Sequence, residues 1–232
     1  TLDMERVPVT AITDIIAIDG PAGAGKSSVA RAVADTLGYA FLDTGAMYRA
    51  ATWWVLRRNV DLEDPQAIEE AVRALPLEMR EEGGRSRVWV GEHEVTDDIR
   101  TSAVTDNIWR VDEVSGVRRH LVELQRAFGA KQPTVAEGRD MGTVVFPDAR
   151  CKIYLDAQPE VRARRRTDEL QARGHEADYE TILAAIRERD HRGMTRADSP
   201  LRPAPDAVRI DTTGMSLKEA VDAIVHEARK TQ

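Results

Sequence analysis

Residues 20–27, Gly-Pro-Ala-Gly-Ala-Gly-Lys-Ser, constrain this chain more than any other stretch of its 232 residues. They fit GxxxxGK[ST] in full, which a chain of this composition would match by chance roughly 0.002 times. The flanks agree with the motif. Ile15-Ile16-Ala17-Ile18 is a short apolar run closed by Asp19-Gly20, the pattern of a buried strand ending in a turn. Val29, Val33 and Leu37 then recur every four residues with Ala30 and Ala34 beside them, as in a helix, and Gly38 fits its C-terminal cap. A glycine-rich turn between such a strand and helix lets successive backbone N–H groups converge on phosphate oxygens at the positive helix end. The expected cradle is Gly20, Pro21, Ala22, Gly23, Ala24 and Gly25, followed by Lys26, Ser27 and Ser28. Lys26 would reach the β- and γ-phosphates of a nucleoside triphosphate, and the Ser27 hydroxyl would bind Mg²⁺.

The rest of the chain reads as α/β. Tyr39–Leu42 is a second strand and Gly45–Arg58 a second helix; strand, helix, strand at this spacing predicts parallel pairing through a right-handed crossover. Pro65–Leu75 looks helical. Short alternating pieces at 77–80, 87–90 and 93–95, broken by Gly83-Gly84 and Gly91, predict a small antiparallel meander. Helical spacing returns over Thr101–Ala130, and three further strands are expected at Thr134–Glu137, Lys152–Asp156 and Val208–Asp211. Residues 159–202 are highly charged and rich in arginine. Ser216–Arg229 reads as a closing amphipathic helix.

Composition narrows the function. A formal charge of −7, from 33 basic and 40 acidic residues, disfavours a nucleic-acid binder. Among the basic residues 28 are Arg and 5 are Lys; arginine forks suit phosphates, although a codon bias gives the same count. The single cysteine, Cys151, suits a reducing compartment. No apolar run approaches the roughly 18 residues that a membrane span needs. Residues 1–14 carry Asp3, Glu5 and Arg6, unlike a secretory signal, and read as a tail. A soluble cytoplasmic protein is therefore expected. A guanine-specific switch would carry NKxD, which does not occur, and Asp211-Thr-Thr-Gly214 follows the last strand, out of place for a DxxG switch. A mechanical ATPase usually needs a longer chain. A small-molecule kinase fits best.

Four blocks sharpen this expectation: residues 19–27, Leu42-Asp-Thr-Gly-Ala-Met-Tyr-Arg49, Gly138-Arg-Asp-Met-Gly-Thr-Val-Val-Phe-Pro147, and Arg187-Glu-Arg-Asp190 with Arg196 and Ser199-Pro200-Leu201. In this order they resemble the blocks of bacterial cytidylate kinase over about residues 13–230. The resemblance implies a three-layer P-loop kinase core with a five-stranded parallel sheet. It further implies an inserted monophosphate-binding lobe at 60–100 containing the small antiparallel sheet, and a helical lid at 162–197. The implied activity is transfer of the γ-phosphate of ATP to CMP or dCMP, with Mg²⁺, in pyrimidine nucleotide metabolism, by a monomer.

By the same resemblance, Arg49 meets the acceptor phosphate and Tyr48 lies near its sugar and base. Thr44, in isolation, is as readily a helix N-cap as a ligand hydroxyl, and the motif match tips it toward the acceptor nucleotide. Arg139 and Asp140 would read the base, since an exocyclic amine needs an acceptor and a carbonyl does not. Arg118 matches an arginine on the acceptor phosphate, and Arg165 a lid arginine that contacts ATP. Arg189 and Arg196 match arginines closing over the transferring group, and with Lys26 form the expected catalytic set. This chain departs from relatives at three places: Glu137 stands where many have Asp, Gly193 where an acid can contact the acceptor ribose, and Trp109 where a small hydroxyl residue can lie near the base. The nearest rivals are a uridylate or non-nucleotide kinase, opposed by the Tyr48-Arg49 and Gly138-Arg139-Asp140 blocks, and a noncatalytic nucleotide-binding regulator, opposed by Lys26, Ser27, Arg189 and Arg196.

Overall fold

A computed structural model describes residues 14–231 apart from 83, 84, 173, 175 and 197. Residues 1–13 of the expected tail at 1–14 and the Gly83-Gly84 break lie outside the described residues. In chain order the elements are β1 (Ile15–Asp19), α1 (Lys26–Leu37), β2 (Ala40–Asp43), α2 (Thr44–Arg57), α3 (Pro65–Arg73), β3 (Leu77–Glu82), β4 (Arg85–Val90) and β5 (His93–Glu94). After a 3₁₀ turn at Asp98–Arg100 come α4 (Ser102–Asp112), α5 (Ser115–Gly129) and β6 (Thr134–Gly138). A π-helical turn at Met141–Val145 leads to β7 (Cys151–Asp156), α6 (Pro159–Ala172), α7 (Tyr179–Thr195), β8 (Val208–Asp211) and α8 (Leu217–Lys230).

Five parallel strands form one sheet in the order β2-β6-β1-β7-β8, and β3-β4-β5 form a separate antiparallel sheet. β1 and β2 are parallel as expected but do not pair: β6 lies between them. The crossover through α1 skips one strand width, and Thr134–Gly138, buried along its whole length, fills the gap. Residue alternation then sorts the two faces of β1. Ile16 and Ile18 pack with Val29, Val33 and Ile224 under α1 and α8, while Ile15 and Ala17 pack with Leu42, Met47 and Val122 under α2 and α5. The result is helix, sheet, helix. A further cluster joins Val88 and Val90 of β4 to Ala50, Val55, Ile68, Val111 and Leu121, so the small sheet shares its core with α2, α3, α4 and α5.

The helical stretch expected over Thr101–Ala130 is two helices, interrupted at Glu113-Val114, with Val114 in an extended conformation. Val114, Ser115 and Gly116 are weak helix formers, so the chain turns there without losing a strong segment. Within the charged segment, Arg162 is buried rather than solvated. Its guanidinium donates to Ala157 O at 2.8 Å, to Ala22 O of the glycine-rich loop at 2.9 Å, and to Asp190 Oδ2 of α7 at 2.5 Å. One side chain therefore ties α6 and α7 to the loop after β1. Arg162→Met leaves Asp190 buried without its cation and is expected to lower unfolding stability by about 3–5 kcal/mol in chemical denaturation. Arg162→Met combined with Asp190→Leu should recover most of that loss.

Candidate active site

The parallel strands end in a row of acids, Asp43 on β2, Glu137 on β6, Asp19 on β1, Asp156 on β7 and Asp211 on β8. The carboxyl edge of such a sheet is where ligands bind, and the loop after β1 opens there. Gly20 has φ +151°, and a Cβ on it would stand 2.0 Å from the carbonyl oxygen of Leu155, so only glycine lets the chain leave β1 against β7. Gly25 is the left-handed N-cap of α1 and supplies no side-chain cap. The first amides of α1 thus point into the loop without an internal side-chain acceptor, as an anion cradle requires. Lys26 Nζ folds back to donate to Pro21 O at 2.9 Å, bracing the loop. Ser27 and Ser28 lie exposed on the first turn.

Charge is concentrated beneath this loop. Burial lowers the Lys26 ammonium from its ordinary range, as do Arg139 and Arg189, while Glu137 and Asp19 oppose the shift. Burial raises the Glu137 carboxyl, Asp43 raises it further, and Lys26 and the Ser27 hydroxyl, which donates to Glu137, pull it down. The Asp19 carboxylate accepts the amides of Met141 at 2.7 Å and Gly142 at 2.8 Å. Burial nevertheless pushes its pKa up to about 6.

Thr44 is not the cap of α2. Asp43 takes that role by accepting from Ala46 N at 2.8 Å, and Thr44 Oγ1 donates to Glu137 O at 2.7 Å, locking α2 to β6. The preceding carboxylate has two acceptor oxygens and the reach to cap, which frees the threonine. One turn on, Tyr48 is buried and lies 5.4 Å beneath the guanidinium of Arg118. Arg118 is ion-paired to Asp140, both of them buried. Its Nη1 also donates to the backbone carbonyl of Asp112 at 3.3 Å. Arg49 is held by Ile99 O at 3.3 Å and Thr105 Oγ1 at 3.0 Å.

Three further arginines complete the cleft. Burial depresses the Arg139 guanidinium to about 10, helped by Arg189 and Arg118 and opposed by Asp112 and Asp190. Arg189 is lowered by burial and by Arg49, and Arg196 by burial and by Arg118. Arg196 Nε donates to Ser199 O at 2.7 Å, while its Nη2 is buried without a hydrogen-bond partner among the described residues. The structure therefore brings Arg49, Arg118, Arg139, Arg189 and Arg196 together from α2, α5, the end of β6 and α7. Arg165 stands apart, bonded through Nη2 to Thr212 O at 2.7 Å and through Nη1 to Thr212 Oγ1 at 3.3 Å, beside the Ala24 carbonyl.

At the two other departures, a Cβ on Gly193 would lie 3.2 Å from Arg139 Nη1, and Trp109 is half-buried between Arg110 at 4.6 Å and Arg192 at 5.2 Å. Sequence reasoning missed Asp112, Arg162 and Thr212. Asp112 falls in no block, Arg162 is hidden in a run of arginines, and Thr212 sits in a segment considered only as a switch. Asp19 had a usable signal in its place directly before Gly20.

The family model described as cytidylate kinase matches residues 16–230. The chain is 48% identical over 215 residues to the bifunctional pantoate ligase/cytidylate kinase of Thermosynechococcus vestitus, covering 91% of this chain and 42% of that protein. It is 47% identical over 219 residues to the bifunctional pantoate ligase/cytidylate kinase of Synechococcus sp. (strain JA-3-3Ab), covering 93% of this chain and 41% of that one. It is 46% identical over 206 residues to the cytidylate kinase of Carboxydothermus hydrogenoformans, covering 89% and 93%. The chain thus spans less than half the length of the bifunctional relatives and nearly all of the latter protein.

The raised pKa of Asp19 has a definite sign. The folded chain holds that proton up to about pH 6, whereas the ordinary value is 3.8. Folding stability is therefore lost as pH rises between these values, by about 3 kcal/mol for this group. Asp19→Asn cannot ionise and escapes that loss. Its stability relative to the parent should rise by about 3 kcal/mol between pH 3 and pH 7, read from denaturation curves at the two pH values.

Proposed function

The chain belongs to the cytidylate kinase family, and from that premise we propose that it transfers the γ-phosphate of ATP to CMP or dCMP, releasing ADP and the nucleoside diphosphate. The observation that carries the reading is the group of five arginines facing one cleft next to the glycine-rich loop, two of which, Arg139 and Arg189, act on Lys26 itself. Phosphoryl transfer asks little covalent work of the protein; it needs in-line placement and neutralisation of spreading negative charge. In this reading residues 20–28 hold the triphosphate, Lys26 spans its β- and γ-phosphates, and Arg165 flanks the ATP side through Thr212. Arg49 and Arg189 hold the acceptor phosphate beside Lys26, joined by Arg139, which the resemblance puts on the base but which acts on Lys26 in the fold. An acceptor phosphate oxygen forms a bond to the γ-phosphorus as the bond to the β–γ bridging oxygen breaks, and ADP leaves with that electron pair. No general base is required.

At the other end of the cleft, Arg118, Asp140, Tyr48 and Arg196 form the base pocket. The Asp140–Arg118 pair presents an acceptor to an exocyclic amine and repels a carbonyl, which favours cytosine over uracil. For Mg²⁺ the donor set fits: the Ser27 hydroxyl touches Glu137, and Asp43 acts on the same carboxylate. One or two carboxylates with a hydroxyl and substrate phosphates are the ligands this ion takes, and it would neutralise phosphate charge there. Residues 60–100 are read as the acceptor-binding lobe and 162–197 as a lid that excludes water. The reading extends to a monomer in the cytoplasm, in keeping with a single buried cysteine; among the described residues no helix is long and apolar enough to cross a membrane.

ADP release should be stimulated by CMP and dCMP and only weakly by UMP, AMP or GMP. Turnover indifferent to every acceptor overturns the kinase reading, and UMP above CMP overturns the base assignment. Chelation of divalent cations should abolish the stimulated turnover. Arg189→Ala, which removes a cation beside Lys26, should lower kcat by about 10²–10³. Arg196, which the resemblance puts in the catalytic set, stands in this reading at the base end, beside Arg118, Asp140 and Tyr48, so Arg196→Ala should act mainly on KM for the acceptor.

A further inference from the structure

Asp112, the last residue of α4, takes no part in the transfer proposed for this cleft. Its backbone carbonyl is gripped by Arg118 Nη1 at 3.3 Å, the guanidinium that also pairs with Asp140 and covers Tyr48. The end of α4 is thereby fixed against the base pocket. One turn earlier, Trp109 lies 5.2 Å from the guanidinium of Arg192 on α7, so α4 and α7 face each other across the cleft. At the place where α7 comes against Arg139 it carries Gly193, with no side chain to offer.

The carboxylate of Asp112 acts on both ends of the cleft. Tyr48 and Arg196 feel it at the base end, and Arg139 and Arg189 feel it at the phosphate end. Among the described residues nothing donates a hydrogen bond to it. Groups that bind a nucleotide by its phosphate and its base leave the sugar between them, and the hydrogen-bond donors of a sugar are its hydroxyls. A carboxylate is acceptor-only and can take two O–H bonds at once.

We infer that the Asp112 carboxylate accepts the sugar hydroxyls of the acceptor nucleotide and sets its preference for a ribonucleotide over a deoxyribonucleotide. The inference rests on the nucleotide-kinase reading of the same cleft. A ribose presents two adjacent hydroxyls to the carboxylate and a 2′-deoxyribose only one.

The test is steady-state kinetics of the full chain and its Asp112→Asn variant with CMP, dCMP and UMP, with titration calorimetry of CMP and dCMP binding. The unaltered protein should use CMP with higher kcat/KM than dCMP. In Asp112→Asn the value for CMP should fall about tenfold, as expected for a lost charge-assisted hydrogen bond. The value for dCMP should fall less, moving the CMP:dCMP ratio toward one, and the CMP:UMP ratio should hold because Asp140 still reads the base. A parallel fall for CMP and dCMP, or no change for CMP, overturns the inference. Asp112→Ser, read by the same ratio, replaces the variant if Asp112→Asn does not fold. Failure of the underlying reading is distinct: it shows in the unaltered protein as ADP release that no monophosphate stimulates.

Discussion

Asp19 joins the two sides of the cleft. It ends the central strand immediately before the glycine-rich loop, and its carboxylate holds the amides of Met141 and Gly142 at the start of the π-helical turn after β6. The glycine-rich loop and the Arg139-Asp140 pair are thus referred to one buried anion. Two backbone amides stabilise the ionised carboxylate, yet burial outweighs them and moves its pKa to about 6. In the proposed transfer that anion would fix the spacing between the two substrates, a quantity on which reaction rate depends steeply.

The arginines add the complementary strain. Bringing five guanidiniums into one cleft is unfavourable, and the lowered values at Arg49, Arg139, Arg189 and Arg196 express that repulsion together with burial. Acids placed among them limit the cost. Asp140 takes Arg118, Asp190 takes Arg162, and the Asp112 carboxylate faces the group with no hydrogen-bond donor among the described residues. A cleft in this state favours an anion, and its donors are already placed before any charge develops. The acidic exterior of the chain is compatible with this, because the field that matters is local.

Much of the fold was legible because its signals are local. Apolar runs marked all five parallel strands, the glycine at position 38 marked the end of α1, and alternating pieces marked the small sheet. Strand order was not legible, since it depends on which buried strand fills the gap beside β1, a contact between residues more than a hundred positions apart. The break between α4 and α5 was missed because apolar spacing continues across it. Thr44 shows the same limit at single-residue scale: a threonine at a helix start has two uses, and the position of Glu137 on a neighbouring strand selects one.

For the site, the residue order alone determined that a phosphate cradle follows the first strand, because glycines, a lysine and a hydroxyl in fixed succession have few other uses. It also singled out five arginines that converge. Only the tertiary structure decided how they divide: Arg118 with Asp140 and Tyr48, Arg139 and Arg189 beside Lys26, and Arg165 on Thr212. Asp112 and Arg162 emerged only there. A charged side chain carries no mark of its partner in sequence, since Coulomb interaction and burial act through space, and only the folded chain sets the distances and the degree of dehydration that give such a residue its role.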